Sequence, residues 1–403
     1  MKRPIVLPDW LRALRRRGML PSPRTLRALR RLCEELPTRG NKVELHTDGD
    51  RLYERMLEDI SSARTRISLE IYMFCDDQVG QAFSAALRER AAAGVDVRVI
   101  YDALGSLETS SAFFDRLSGE GIEVIAYHPI APWKRGFAIF GRDHRKILVV
   151  DGVCGFAGGM NIGCQWSSTQ EGGSDWRDTH VRVEGPAAGD LEVLVEDTWY
   201  RETGRLLELD RLVPRDTAGA STGVLVSVVA GQASSHRRIQ RSYTTALGQA
   251  RSRVRITSSY FIPNRRLRRA IRAACQRGVV VELILPQHND VALAHHASRR
   301  FYDRLLRWGV HLHLYQPTIL HAKTAVIDST WAIVGSGNLD SLSINFNLES
   351  NLILLGKDFG KEMDNAFDED LARSHRIDLQ EWRRRPWRLR LFERLCALLR
   401  YWL

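Results

Sequence analysis

The sequence predicts an α/β protein made of two duplicated domains, each a mostly parallel sheet flanked by helices. Three observations predict it. One chemistry-bearing segment occurs twice. Helical and strand-like runs alternate around each copy. The strand-like runs are short and apolar on both faces.

The duplication comes first. His144-Arg-Lys146-Ile-Leu-Val-Val-Asp151 recurs as His321-Ala-Lys323-Thr-Ala-Val-Ile-Asp328, at an offset of 177 residues. Gly158 and Asn161 recur as Gly335 and Asn338 at the same offset. Upstream, Gly121-Ile-Glu-Val-Ile-Ala-Tyr127-His-Pro129 matches Gly309-Val-His-Leu-His-Leu-Tyr315-Gln-Pro317 at an offset of 188. The first copy therefore carries 11 extra residues before its histidine. Ala63-Arg-Thr-Arg-Ile67 is likewise similar to Ala250-Arg-Ser-Arg-Val254.

The alternation follows in each copy. Leu52–Ala63 reads as a helix with one apolar face, and Ile67–Phe74 as a strand. Gln81–Ala93 is Ala-rich and helical, Gly94 ends it, and Val95–Tyr101 is a second strand. The other copy repeats this with Arg265–Arg277, Gly278 and Val279–Leu285. Short apolar strands between helices imply a buried, mostly parallel sheet. A turn-rich stretch near 200–223, with Pro214, Gly219 and Gly223, marks the junction. The expected domains are 41–205 and 223–365, with flanking segments 1–40 and 376–403.

Composition bounds the function. The chain has 403 residues, 44% hydrophobic and 27% charged, which excludes a disordered protein. Its net charge of +11 is unevenly placed. Residues 1–40 hold 11 Lys and Arg against 3 Asp and Glu, and residues 376–403 hold 8 against 3. The interval 41–375 holds 40 against 42. This is a near-neutral body with two basic attachments, so a nucleic-acid partner is not expected. No run of about 20 apolar residues suggests a membrane-spanning helix, and the N-terminus lacks the apolar core of a secretory signal. The six cysteines are scattered without a CxxC pair, so neither a disulfide framework nor a metal site is expected, and a reducing compartment is the default.

The repeated motif points to phosphate chemistry. Read along a strand, residues two apart share a face, which pairs His144 with Lys146 and His321 with Lys323. Lysine supplies positive charge, and a neutral imidazole can attack phosphorus. Asn161 and Asn338 follow Gly-rich turns and can donate to phosphoryl oxygens. Gly158-Gly159 and Gly335-Ser336-Gly337 would let the backbone approach closely. By the same alternation Asp151 faces opposite to His144, so Asp151 and Asp328 are expected to secure the strand end and turn.

These residues resemble the phospholipase D superfamily, whose signature is a duplicated HxKxxxxD followed by G-G/S-x-N. The resemblance covers about 41–365. It is nearer still to bacterial cardiolipin synthases, particularly the shorter cardiolipin synthase B type. Leu69-Glu-Ile-Tyr-Met-Phe74, Tyr101-Asp-Ala-Leu-Gly-Ser106, Trp176-Arg-Asp-Thr-His180, Tyr260-Phe-Ile-Pro263 and Gly335-Ser-Gly-Asn-Leu-Asp340 support it in that order. Leu342-Ser343 departs from the Arg-Ser that many relatives carry there.

The resemblance implies pseudo-twofold domains around one shared active site, with no metal and no cofactor. It places His144, Lys146 and Asp151 together with His321, Lys323 and Asp328 in the catalytic motifs. His144 is expected as the nucleophile that forms a phosphatidyl-histidine, and His321 as acid and base. A carboxylate downstream of each motif, Asp178 and Glu349, is expected to orient the histidines.

The basic ends suggest the substrate. After Ser22-Pro23, Leu26, Leu29, Leu32 and Leu36 share one side of a helix, with Arg24, Arg27, Arg30 and Arg31 elsewhere. At the other end Trp387, Leu391, Leu395, Leu398 and Trp402 stand against Arg388, Arg390, Arg394 and Arg400. Such helices suit a lipid interface. The extra segment Ile130–Asp143, with Trp133, Lys134, Arg135, Phe137 and Phe140, either meets lipid or packs as a loop. The expectation is a monomeric phosphatidyltransferase, peripheral on the cytoplasmic face of the bacterial membrane. It joins two phosphatidylglycerols into cardiolipin and glycerol. A phospholipase D hydrolase, a nuclease and a non-catalytic lipid-binding protein are the alternatives.

Overall fold

The computed structural model describes residues 37–130, 138, 141–205, 224–231 and 237–399. The N-terminal amphipathic segment, the junction after 205 and most of the inserted segment 130–143 lie outside the described residues.

The first sheet uses β1 (Lys42–His46), β2 (Arg66–Ile71), β3 (Asp96–Asp102), β4 (Glu123–Tyr127), β5 (Lys146–Val150), β6 (Cys154–Gly158) and β7 (His180–Glu184). Their order is β1-β7-β6-β5-β2-β3-β4. The second uses β8 (Leu225–Gly231), β9 (Arg253–Ser258), β10 (Val280–Pro286), β11 (His311–Tyr315), β12 (Lys323–Ile327), β13 (Trp331–Gly335), β14 (Glu349–Leu355) and β15 (Ser374–Arg376). Their order is β15-β11-β10-β9-β12-β13-β14-β8. The duplication is therefore visible as topology: β2, β3 and β5 correspond to β9, β10 and β12.

The helices match the sequence reading. Gly49–Ser62, Gln78–Ala92 and Arg265–Gln276 occupy the predicted helical runs, capped by Asp48, Asp77 and Asn264, whose side chains accept from first-turn amides.

The sheets themselves differ from the expectation. Each is mixed. In the first, β2-β3 and β3-β4 are parallel, and β2-β5, β5-β6, β6-β7 and β1-β7 are antiparallel. In the second only β9-β10 and β10-β11 are parallel. The physical reason lies in the turns. Asp151 and Gly152 both take positive φ, which folds β5 directly back into β6. Burial on both faces gives such a hairpin the same continuous apolar run as a parallel strand.

That double burial also joins the halves. Leu148 and Val150 of β5 pack outward into one core, while Ile147 and Val149 pack inward. The inward cluster also holds Val326, Val334, Leu352 and Leu354 from the second sheet, with Leu191 and Trp199 of helix Pro186–Thr203 and Phe359 and Met363 of helix Lys357–Ala372. The two sheets thus share one core. The second half also continues past the predicted limit of 365: helix Lys357–Ala372 runs on into β15, and Ile377, Trp382 and Cys396 join its core. Among the described residues no helix is long and apolar enough to cross a membrane.

Candidate active site

His144 and His321 sit just before their strands, not on them. β5 begins at Lys146 and β12 at Lys323. Two reciprocal bridges fix the residues ahead of each strand. Asp143 bridges Leu348, and Leu320 bridges Arg177, both parallel. His144 N donates to Leu348 O at 2.9 Å, and His321 N donates to Arg177 O at 2.7 Å. Leu348 and Arg177 are the residues immediately before Glu349 and Asp178. Each half therefore presents its carboxylate to the other half's histidine.

The pairing is crossed. Glu349 Oε2 lies 3.1 Å from His144 Nδ1, and Asp178 Oδ2 lies 2.6 Å from His321 Nδ1. The carboxylate downstream of each motif thus serves the opposite motif. A carboxylate can only accept from the ring, so it keeps the proton on Nδ1 and leaves the Nε2 lone pair as the nucleophilic one. Burial holds both imidazoles below the ordinary histidine range; Glu349 opposes this at His144, and Lys323 adds to it at His321.

The carboxylates are themselves held. Asp178 is fully buried and accepts from Trp166 Nε1 at 3.2 Å and from Thr179 N at 2.7 Å. Burial works against its charge, but Lys323 and His321 outweigh burial and keep it below the usual carboxylate range. Ser336 Oγ donates to Glu349 Oε2 at 2.5 Å. Gly159 is required here, since an added Cβ would stand 2.1 Å from Asp178 Oδ1.

The lysines are almost completely buried. Lys146 Nζ donates to His144 O at 2.9 Å and lies over the Tyr72 ring, 4.9 Å from its centre. Lys323 Nζ donates to the His321 carbonyl and stands 2.9 Å from His321 Nδ1. Burial pushes Lys146 down to about 7 and Lys323 to about 8. Each also feels Glu349 and Asp178.

The asparagines stand beside these groups. Asn161 Oδ1 accepts from Met73 N at 3.1 Å, and Asn338 Oδ1 accepts from Ser259 Oγ at 2.8 Å. With each oxygen engaged, the amide nitrogen is the end left to donate to a ligand.

Asp151 and Asp328 are elsewhere. They follow the far ends of β5 and β12, in left-handed backbone conformations with φ 52° and 50°. Asp151 accepts from Arg64 N, Thr65 N, Thr65 Oγ1 and Arg66 N at 2.7–2.9 Å. Asp328 makes the equivalent bonds to Arg251, Ser252 and Arg253. They belong to the motif as strand-end clamps and do not touch the histidines.

Sequence reasoning missed three supports. Tyr72 packs on His144 with ring centres 4.8 Å apart, and Trp166 and Trp176 pack on His321 at 5.7 and 5.8 Å. Tyr72 and Trp176 lay inside stretches already noted, whereas Trp166 gave no signal.

Known proteins show the same arrangement of sequence. The family described as "Cardiolipin synthase, PLD-like domain" matches residues 56–173 and 243–371. A cardiolipin synthase of Geobacillus thermodenitrificans is 32% identical over 389 residues, covering 96% of this chain and 78% of that protein. Cardiolipin synthase A of Pseudomonas aeruginosa is 34% identical over 349 residues, covering 87% and 71%. These relatives carry the plain or the A designation, so the likeness to the B type rests on sequence features alone. Phosphatidylserine synthase of Haemophilus influenzae superposes with a TM-score of 0.72 at 16% identity, over 94% of this chain and all of that one, which shows a common fold. Two matched repeats, two crossed dyads and relatives similar over nearly the whole chain lead to one assignment: the chain belongs to the cardiolipin synthase family of phospholipase D-like proteins.

Proposed function

We propose that the protein is a cardiolipin synthase that transfers a phosphatidyl group from one phosphatidylglycerol to another, releasing glycerol. The crossed pairing of His144 with Glu349 and His321 with Asp178 carries this reading. It gives two imidazoles anchored at Nδ1 at one site, one with a free Nε2 lone pair to attack and one to carry the transferred proton, as a double displacement needs.

In the first step His144 Nε2 attacks phosphorus. The bond from phosphorus to the glycerol oxygen breaks, and His321, carrying a proton on Nε2, gives that proton to the leaving oxygen. In the second step the hydroxyl of another phosphatidylglycerol loses its proton to His321 and attacks the same phosphorus. The P–N bond breaks, cardiolipin leaves, and both histidines return to their starting state. Lys146, Lys323, Asn161 and Asn338 neutralise and hold the non-bridging oxygens. The buried carboxylates keep the imidazoles oriented through both steps.

The membrane reading draws on the C-terminal helix Trp387–Cys396. Its inner face is held by Glu393, which pairs with Arg299 at 3.0 Å and Arg385 at 2.6 Å. Its outer side exposes Trp387, Leu391, Phe392 and Leu395, with Leu398 just beyond. An apolar stripe of this kind, on a basic segment, fits an anionic lipid surface. We take the protein to be peripheral and to act as a single chain, because both dyads close within one chain. The five described cysteines are unpaired, which fits the cytoplasmic face.

The deciding experiment incubates the protein with phosphatidylglycerol liposomes and reads the products by mass spectrometry. Cardiolipin plus glycerol is expected. Phosphatidic acid alone would make the enzyme a hydrolase, and cleavage of nucleic acid alone a nuclease.

A further inference from the structure

The second half holds a cavity of about 840 Å³ that the catalytic residues do not line. It lies where the starts of helices Arg237–Gln249 and Arg265–Gln276 meet the turn between helices Ala292–Arg299 and Tyr302–Arg307 and the end of the C-terminal helix. Its lining includes Arg237, Arg265, Arg266, Arg300, Arg304 and Arg394, and no Asp or Glu. Among the described residues none of these six is in an ion pair.

The acids that act on Arg300 are already committed. Asp303 pairs with Arg307 and Arg383, each at 2.9 Å, and Glu393 pairs with Arg299 and Arg385. Arg300 is half-buried, and burial, then Arg394 and Arg304, hold its guanidinium below the ordinary range. Uncompensated like charges around a concave space create a standing demand for an anion. Guanidinium groups meet that demand best with phosphate, through paired N–H donors.

Two features select the rest of the ligand. Leu398 lines the cavity and is 69% exposed, and Leu395 and Leu391 continue the apolar line along the helix. A bound molecule would thus meet arginines at one end and leucines at the other. The lining gives no open stacking platform for nucleobases: Phe301 is buried, with the Arg268 guanidinium 5.2 Å from its ring centre. The wall residues Ile262 and Pro263 follow Phe261, which bridges Leu339 beside Asn338. The cavity therefore opens near the catalytic end of the second sheet.

We propose that this cavity is a second phosphate-headgroup site, which holds an anionic phospholipid of the bilayer beside the catalytic centre. The proposal rests on the membrane reading above and gives it a defined pocket.

The test is co-sedimentation of the full chain with phosphatidylcholine vesicles, with and without phosphatidylglycerol. The variants are Arg300→Gln/Arg304→Gln and, independently, Arg265→Gln/Arg266→Gln. The control is Arg64→Gln/Arg251→Gln, which removes the same charge beside Asp151 and Asp328, at the far end. At roughly 1 kcal/mol per basic residue, each cavity variant should bind anionic vesicles about 30-fold more weakly, and the control should bind as the wild type does. Both cavity variants should melt no lower than the wild type, because they relieve like-charge crowding. Equal loss in control and cavity variants, or no loss in either cavity variant, would overturn the proposal. So would a melting shift by inorganic phosphate that the cavity variants lose while their vesicle binding stays intact, or the same pattern with duplex DNA. Binding is scored apart from turnover. A wild type that bound anionic vesicles without making cardiolipin would fail the transferase reading and leave this site standing.

Discussion

Asp178 Oδ2 stands 2.6 Å from His321 Nδ1, although 143 residues separate them. Its counterpart is Glu349 with His144, at 3.1 Å across 205 residues. Replacing Asp178 with Asn keeps the shape but permits the wrong tautomer. Loss of a fixed tautomer costs on the order of 10²–10⁴ in turnover, so kcat should fall in that range while KM changes little. Steady-state kinetics on short-chain phosphatidylglycerol checks this, and an unchanged kcat would remove Asp178 from the machinery.

The two histidines should fail differently. In His321→Ala the nucleophile remains but the leaving alcohol gets no proton, so a substrate with an activated leaving group should trap phosphatidyl on the His144 peptide. In His144→Ala no adduct should form, and turnover should drop by at least about 10⁴. Peptide mass spectrometry after rapid quenching reads this out. An adduct on His321 would reverse the assigned roles.

Anion binding should take up protons. With Lys146 near 7 and Lys323 near 8, the empty site at pH 8 holds these lysines largely or half neutral. A bound oxyanion favours their charged forms, so uptake of about one proton per site is expected at pH 8. Calorimetry with tungstate in two buffers of different ionisation heat measures it. The sign for stability follows: between the lowered values and the ordinary lysine range the unfolded chain binds more protons. These two lysines therefore make the empty protein more stable as pH rises through that window.

Asp151→Ala and Asp328→Ala should damage the fold before the chemistry. Each removes a carboxylate that accepts four hydrogen bonds at a left-handed turn. Allowing for solvent screening, a loss of about 2 kcal/mol each is expected by denaturant melting, with kcat of the folded fraction retained. Both carboxyls are held below the ordinary range: burial opposes this, and hydrogen bonds led by the Arg66 and Arg253 amides prevail. Their contribution is present above the unfolded value and is lost as pH falls through the folded one.

Leu391→Ser/Leu395→Ser should weaken vesicle binding by about tenfold or more, from the apolar surface no longer transferred to lipid. The melting temperature should not move, since both side chains are exposed. Deleting 377–403 is a poorer test, because it removes Ile377 and Trp382 from the core.

Much of this was legible in the sequence. The offset between the two His-x-Lys segments discloses the duplication, and the resemblance to the phospholipase D superfamily points to Asp178 and Glu349. Spacing could not disclose that they cross, because it carries no information on which half approaches which. The sheet direction at β5 and β6 is not legible, because a hairpin buried on both faces leaves the same apolar run as a parallel strand. That His144 precedes its strand is equally hidden, because Asp143 and Leu348 pair through a bridge between halves that no local pattern encodes. Trp166 was silent for a similar reason: its partner Asp178 is chosen by the fold.

The core shared by the two sheets, with its exchanged carboxylates, sets when the enzyme becomes active during synthesis. When residues 1–205 have left the ribosome, His144 is present but its acceptor is not yet made. Asp178 is present and has no imidazole to hold. The His144 dyad is complete only once Glu349 and the strand that carries it have docked. A chain that ends before His321 carries neither dyad, and one that ends before Glu349 carries at most one.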